Sequence, residues 1–138
     1  MNKIDMACII DDDEIFIYGL KRMMQVANFC ESIMIYRDGQ EALDSLKAVI
    51  ENKEKLPDVI LLDLNMPILD GWQFLDEFVQ IELDKKITIY IVSSSVDPAD
   101  VLKAQEYCAV SNYIVKPVSM EILQEIFQEI KNDATAKE

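Results

Sequence analysis

Short apolar runs rich in Ile and Val recur along this chain, spaced by roughly 25 to 30 residues, about the size of one strand–helix unit. Most of the runs lack a clean alternation of apolar and polar residues. Strands that are buried on both faces of a parallel sheet have this pattern. The runs predict five β-strands, at Met6–Ile10, Ser32–Tyr36, Val59–Leu62, Ile87–Val92 and Tyr113–Val115.

The segments between these runs have apolar residues every three or four positions, which is typical of amphipathic helices. The predicted apolar helix faces are Phe16, Leu20, Met23, Met24 and Ala27; Ala42, Leu46, Val49 and Ile50; Trp72, Leu75, Phe78 and Val79; and Ile122, Leu123, Ile126, Phe127 and Ile130. A further helix, fourth along the chain, begins well with Asp97 as its N-cap and Pro98 in its first turn, but its apolar face is weak. We expect this helix to be the most exposed.

The alternation of strands and helices predicts an α/β fold: a doubly wound (βα)5 domain with a five-stranded parallel sheet between two helical layers. We expect the domain to occupy residues 1–132 and residues 133–138 to form a frayed tail. Ligands of such sheets bind at the carboxyl ends of the strands. The residues that follow each predicted strand are therefore the candidates for chemistry.

The composition narrows the possible functions. A length of 138 residues fits one domain, and 51% hydrophobic residues suffice for a core. A net charge of -13 argues against binding nucleic acid phosphates or an anionic membrane, and no segment has transmembrane length. The absence of His excludes a histidine base or ligand. Three widely spaced cysteines, Cys8, Cys30 and Cys108, are typical of reduced thiols in a cytoplasmic protein.

Charged and hydroxyl side chains follow four of the predicted strands. Asp11 and Asp12 come after the first strand, Asp63 after the third, Ser93 after the fourth and Lys116 after the fifth. If these strand ends meet, three carboxylates face one ammonium, and a hard divalent cation with oxygen ligands, Mg²⁺ or Mn²⁺, would balance the surplus charge. A carboxylate beside such a metal favours phosphoryl transfer, in which Asp63 attacks phosphorus and forms an acyl phosphate. The two acids after Asp12 are expected in the first turn of a helix.

These residues, taken together, resemble the response-regulator receiver domain of two-component signalling over nearly the whole chain. The markers are the acidic pair, the stretch "LLDLNMPILDG", a hydroxyl after the fourth strand and "YIVKP" at the fifth. The resemblance implies a flavodoxin-like sheet with strand order 2-1-3-4-5. Two features differ from the common pattern: Ser93 stands where Thr is commoner, and Cys108–Ala109 replaces a frequent Ala-Gly pair.

The resemblance also implies roles for individual residues. Asp63 is the expected phosphoacceptor. The expected Mg²⁺ ligands are Asp12 directly, Asp11 partly through water, Asp63, and the backbone carbonyl of Asn65. Mn²⁺ is a possible substitute.

The resemblance also implies which residues bind the phosphoryl group and which change position when Asp63 is phosphorylated. Lys116, Ser93 and Ser94 are expected to bind the phosphoryl group, with Lys116 pairing with Asp63 at rest. Ser93 and Tyr113 are the expected switch pair, and the bond from Lys116 to Pro117 is expected to be cis.

The function implied by this resemblance is that of a single-domain regulator rather than an enzyme. A sensor histidine kinase or a histidine phosphotransfer protein would phosphorylate Asp63, and the change would reach an unknown protein target through helix four, strand five and helix five. The chain would be a monomer or a weak dimer through that face. Two alternatives stay open: a relay intermediate that passes the phosphoryl group to a histidine phosphotransfer protein, and a docking receiver that is never phosphorylated.

Two functions of other classes fit the residues less well. A flavodoxin-like FMN protein needs a phosphate-cradling loop after the first strand, where this chain has the acids 11–14. An aspartyl-phosphate hydrolase of the haloacid-dehalogenase type needs a second Asp two residues after the nucleophile. Asn65 occupies that position and cannot act as a general acid.

Overall fold

A computed structural model describes residues 4–136 of the chain, with side chains described as far as residue 132. Five strands alternate with five helices. They are β1 (Ile4–Ile10), α1 (Glu14–Val26), β2 (Cys30–Tyr36), α2 (Gly39–Glu51), β3 (Val59–Leu62), α3 (Gly71–Phe78), β4 (Thr88–Ser93), α4 (Pro98–Gln105), β5 (Val110–Val115) and α5 (Met120–Ala136).

The strands form one parallel sheet in the order β2-β1-β3-β4-β5, which confirms the predicted fold and strand order. The chain reverses its direction of winding after β2, so β1 and β3 are neighbours at the centre. The carboxyl ends of these two strands border the crevice in which a doubly wound sheet holds its ligands.

Two hydrophobic cores lie on opposite faces of the sheet, because successive strand residues point to opposite sides. One core contains Ala7 and Ile9 with apolar side chains of α1 and α5, and the other contains Cys8 and Ile10 with those of α2 and α3. Both sides of the central strands are thus buried. This explains why their sequences are continuously apolar.

Aspartate side chains cap the amino ends of four helices by accepting backbone N–H bonds. The caps are Asp13 for α1, Asp38 for α2, Asp70 for α3 and Asp97 for α4. Helix α4 buries only Ala104 fully, while Leu102 on the same helix is 62% exposed. The predicted start and weak packing of this helix are confirmed.

Several element boundaries differ from the prediction. The edge strands β2 and β5 begin earlier than predicted, at Cys30 and Val110, because their half-exposed polar residues hide the strand pattern. Val79 is exposed at the end of α3, and Phe74 takes its place in the core. Helix α5 runs to Ala136, so it includes residues 133–136 of the expected tail, while residues 137 and 138 lie outside the described part. Among the described residues, every helix is too short or too polar to span a bilayer.

Candidate functional site

Three carboxylates converge at the carboxyl ends of the central strands. Asp11 and Asp12 follow β1 and Asp63 follows β3, and one oxygen of each lies within 4.8 Å of one oxygen of each of the others. Asp11 and Asp63 are buried, at 1% and 5% exposure, whereas Asp12 faces solvent. The sheet register produces this arrangement because Ile10 pairs with Leu62, so that both strands end at the same level.

Lys116 brings an ammonium group from the end of β5 into the same crevice. Its Nζ lies 2.9 Å from Oδ2 of Asp11 and 3.8 Å from Oδ1 of Asp63, and the side chain is only 14% exposed. Its backbone N–H donates to the carbonyl of Ser93 (2.9 Å), which ties the lysine to the end of β4. The closer partner is therefore Asp11, whereas the resemblance implies Asp63. The peptide bond from Lys116 to Pro117 is cis, the form expected for it.

The protein environment favours the protonated form of the two buried carboxyl groups of this site, Asp11 and Asp63. Burial, and then the charge of Asp11, raise the pKa of Asp63 to about 6, although Lys116 acts in the opposite direction. Burial also raises the pKa of Asp11, against the hydrogen bond from Lys116. One ammonium thus compensates three carboxylates only in part, and the crevice attracts further positive charge.

The run of four acids after β1 divides into separate roles. The backbone N–H of Asp13 donates to Oδ1 of Asp11 (2.9 Å), and the side chain of Asp13 accepts the N–H groups of Ile15 and Phe16. Glu14 begins α1 and forms an ion pair with Arg37 beyond β2. Asp13 is therefore the N-cap and not part of the first turn. Its cap connects helix α1 to the carboxylate of Asp11.

Ser93 is fully buried at the end of β4, where its Oγ accepts the backbone N–H of Ser95 (3.1 Å). The hydroxyl of Tyr113 donates to the carbonyl of Ser95 (3.0 Å), and Oγ of Ser95 lies 2.6 Å from Oδ2 of Asp100 on α4. Ser95 thus joins β4, β5 and α4. Sequence reasoning did not give Ser95 this role, although its position two residues after Ser93 would place its N–H within reach of that hydroxyl. Ser94 lies exposed between them.

The loop after β3 is held close to Asp63 by Gly71, the first residue of α3. Its N–H donates to the carbonyl of Leu64 (3.0 Å), and a Cβ at this position would lie 2.4 Å from the carbonyl oxygen of Asp63. Any other residue would push α3 away from the acceptor. The sequence contains Gly71 within the "LLDLNMPILDG" stretch, but its role as a spacer needs the structure. Asn65, two residues after Asp63, is exposed on the same loop.

The donor set of this crevice fits a hard divalent cation. All three candidate side-chain ligands are carboxylates, close enough for one ion to contact all of them, and Asp12 leaves the site open to solvent. Mg²⁺ and Mn²⁺ prefer such oxygen ligands and retain water molecules. The sequence contains no histidine, and Cys8 belongs to the apolar core, so soft or nitrogen donors are not offered here.

Comparison with known proteins agrees with this geometry. The response regulator receiver domain family matches residues 7–128. The probable methanogenesis regulatory protein FilR2 of Methanothrix harundinacea is 29% identical over 89% of this chain and 79% of its own length. The two-component response regulator ARR10 of Arabidopsis thaliana is 30% identical over 93% of this chain, which spans only 21% of that protein.

Solved structures show the same architecture. A two-component response regulator from Cytophaga hutchinsonii superimposes with a TM-score of 0.85 at 30% identity, covering 94% of this chain and 98% of its own. The Mn²⁺-bound form of response regulator Rcp1 gives a TM-score of 0.73 at 25% identity, covering 92% and 91%. With the strand-end carboxylates, the lysine and the buried hydroxyl in place, the chain belongs to the response regulator receiver domain family of two-component signalling.

Proposed function

We propose that the chain accepts a phosphoryl group on Asp63 from a phosphohistidine of a sensor histidine kinase or a histidine phosphotransfer protein. The observation that supports this most directly is the placement of a buried carboxylate beside two others, with one ammonium 3.8 Å away. Such a group is almost fully desolvated and is surrounded by charges suited to a phosphoryl group.

The transfer step exchanges one bond to phosphorus for another. An oxygen of the Asp63 carboxylate forms a bond to phosphorus while the N–P bond of the donor breaks. The electron pair of the broken bond stays on the imidazole nitrogen, and the donor, protonated on its other ring nitrogen, leaves as neutral imidazole. Lys116 would compensate the charge on the phosphoryl oxygens, and Ser93 and Ser94 would donate hydrogen bonds to them.

Asp11, Asp12, Asp63 and the backbone carbonyl of Asn65 would hold a divalent cation, with Mg²⁺ the expected ion and Mn²⁺, as bound by Rcp1, an alternative. When bound, the cation supplies positive charge to the oxygens of the transferring group. The two buried carboxylates need such a partner more than the exposed Asp12, because their charged forms are poorly solvated.

The switch that we propose uses the contacts of Ser95. If the hydroxyl of Ser93 turns towards a phosphoryl group on Asp63, its bond from the N–H of Ser95 must change. Ser95 also contacts Tyr113 and Asp100, so the change would reach β5 and α4 together. The weak packing of α4 suits an element that shifts between two states. Output would then pass by protein contact through α4, β5 and α5, with a weak dimer as one form of it.

Partner docking beside the acceptor is supported by an apolar surface on α1. Ile15 and Tyr18 are 85% and 69% exposed, and Ile15 also lines a groove together with Leu20 and Pro117. A helix that carries the phosphohistidine could cover this surface while it presents the imidazole to Asp63.

A histidine kinase takes its phosphoryl group from ATP, so this function requires the chain to work in the cytoplasm.

The experiment that tests the proposal measures intact-protein mass after incubation with acetyl phosphate or phosphoramidate, with and without Mg²⁺. The native chain should gain one phosphoryl group in a Mg²⁺-dependent manner, and Asp63→Asn should gain none. Asp58→Asn is the matched control, because Asp58 also pairs with a lysine, but at the amino end of β3. It should be phosphorylated like the native chain. No adduct on the native chain would favour the docking receiver, and an adduct on Asp63→Asn would mean that another residue is the acceptor.

A further inference from the structure

The ammonium of Lys116 has an aromatic neighbour as well as its two carboxylates. Its Nζ lies 4.2 Å from the centroid of the Phe16 ring. A lysine ammonium over a ring face within about 6 Å is attracted by the negative face of the ring, and more strongly where water is excluded. The low exposure of Lys116, 14%, places this contact among the desolvated ones.

Phe16 is fixed relative to the site by two consecutive hydrogen bonds. Its backbone N–H donates to Oδ1 of Asp13 (3.2 Å), and the N–H of Asp13 donates to Oδ1 of Asp11 (2.9 Å). Asp11 is the closer of the two carboxylates that contact Lys116. The ring is also packed against the core on the α1 face of the sheet. The run "DDDEIF" therefore sets the first turn of α1, and with it the ring, at a defined place beside the lysine.

The carboxylates and the aromatic ring differ in how phosphorylation would affect their contacts with Lys116. Asp11 lies closer to Lys116 than Asp63 does. In the unphosphorylated protein, the nearest carboxylate of the ammonium is therefore not that of the acceptor. The proposed phosphorylation of Asp63 needs the ammonium near the acceptor, where it compensates the charge on the phosphoryl oxygens. The ring of Phe16 is uncharged, so it attracts the ammonium without competing for the carboxylates or for a cation bound to them. It can hold the lysine in the crevice while the carboxylates change their partners.

We propose that Phe16 is a positioning residue, which acts through its ring face to keep the ammonium of Lys116 within reach of Asp63 during phosphorylation. This inference rests on the proposed function of Asp63. It assigns a part in that function to an α1 residue whose sequence pattern indicates core packing only.

Three variants separate the ring face from its packing. Phe16→Leu keeps an apolar side chain and removes the ring, whereas Phe16→Tyr keeps the ring. Phe127→Leu is the matched control, because Phe127 is also a half-buried core phenylalanine with a lysine, Lys131, 5.6 Å from its ring, but it lies on α5. If Phe16→Leu does not fold, Phe16→Met replaces it.

The first readout is the rate of phosphorylation by phosphoramidate with Mg²⁺, since a small donor needs no docking surface. Phe16→Leu should react about 2- to 30-fold more slowly than the native chain, the range expected for loss of one cation–π contact. Phe16→Tyr and Phe127→Leu should stay within about 1.5-fold of the native rate, below the lower end of that range. A Phe16→Leu rate equal to the native rate, or a Phe16→Tyr rate as low as that of Phe16→Leu, would overturn the inference.

The second readout needs neither metal nor activity. In the metal-free protein, the ε-methylene protons of Lys116 should show an upfield ring-current shift in NMR spectra. The shift should disappear in Phe16→Leu and remain in Phe16→Tyr and Phe127→Leu. An unchanged Lys116 signal in Phe16→Leu would refute the contact. If the native chain accepts no phosphoryl group, the proposed function fails, and this readout alone decides whether Phe16 positions Lys116.

Discussion

The two ends of the sheet differ in how closely the charges of carboxylate and ammonium groups balance. At the amino end, Asp58 and Lys85 form one ion pair of 2.6 Å, so a single carboxylate meets a single ammonium. At the carboxyl end, three carboxylates lie together, and the ammonium of Lys116 pairs with two of them, Asp11 and Asp63, which are buried at 1% and 5% exposure.

At the amino end, both members of the ion pair also form hydrogen bonds with neighbouring backbone groups. Oδ2 of Asp58 accepts the N–H of Met6 (3.1 Å), and Lys85 donates to the carbonyl of Leu56 (3.1 Å). Asp58 thus fastens the loop before β3 to β1, and Lys85 joins the loops that precede β3 and β4. The carboxyl end lacks such balance, because burial raises the pKa of Asp11 and of Asp63 and so disfavours their charged forms. A balanced ion pair stabilises the fold, whereas the unbalanced cluster agrees with the cation site proposed above.

The largest expected effect concerns the lysine at each end. Lys116→Met should slow phosphorylation of Asp63 by about 100- to 1,000-fold, the cost typical of removing a group that stabilises developing charge. Lys85→Met removes the same charge from the amino end and should leave the rate within about twofold of the native rate, because its pair acts on stability only. Rates with phosphoramidate and Mg²⁺, followed by intact mass, compare the two. Equal slowing in both variants would show that the two ends do not differ in function.

The next effect concerns stability. An Asp→Asn substitution should change the free energy of unfolding in opposite directions at the two ends of the sheet. In EDTA at pH 7.5, Asp63→Asn should raise the free energy of unfolding by up to about 3 kcal/mol, since it removes a buried charge whose pKa is raised by about two units. Asp58→Asn should lower it by no more than about 1 kcal/mol, through loss of the ion pair with Lys85.

Urea unfolding of both variants and the native chain measures these differences. Native-like or reduced stability of Asp63→Asn would mean that Lys116 already balances the acceptor charge. Increased stability of Asp58→Asn would place the same imbalance at the amino end. Either result would remove the contrast between the two ends.

The dependence of stability on pH follows from the same raised pKa. Between pH 3.8 and about 6, the folded chain keeps on Asp63 a proton that the unfolded chain has lost. Stability of the metal-free protein should therefore fall as the pH rises through this window, relative to Asp63→Asn, and then level off. The raised pKa of Asp11 acts in the same direction in both proteins. Unfolding curves at several pH values in EDTA would show the difference, and parallel profiles of the two proteins would contradict it.

The sequence was sufficient to predict most of the fold, because strands buried on both faces leave continuous apolar runs. It also predicted which strand ends carry charge, and the sheet register brings Asp11, Asp12 and Asp63 together as expected. The edge strand β5 was shortened in the prediction, since only half of it is covered and its polar residues resemble a loop.

The site features that sequence reasoning missed depend on distances in space. The preference of Lys116 for Asp11 over Asp63 is decided by less than 1 Å between two contacts, 2.9 Å and 3.8 Å. The contact between Phe16 and Lys116 joins residues from α1 and the end of β5. Ser95 has no predicted role, because its links to Tyr113 and Asp100 depend on how the loop folds. None of these contacts leaves a pattern in a single sequence.

The smallest expected effect concerns a second ion pair near the amino end, between Asp5 and Lys55. Their charged atoms lie 3.3 Å apart, but the side chains are 54% and 59% exposed, so water screens the attraction. Lys55→Met should change the free energy of unfolding by less than about 0.5 kcal/mol and leave the phosphorylation rate unaltered. Urea unfolding and the phosphoramidate assay test both statements. A larger loss would show that exposed pairs also stabilise this edge, and the contrast between the two ends would then reflect burial as well as the balance of charge.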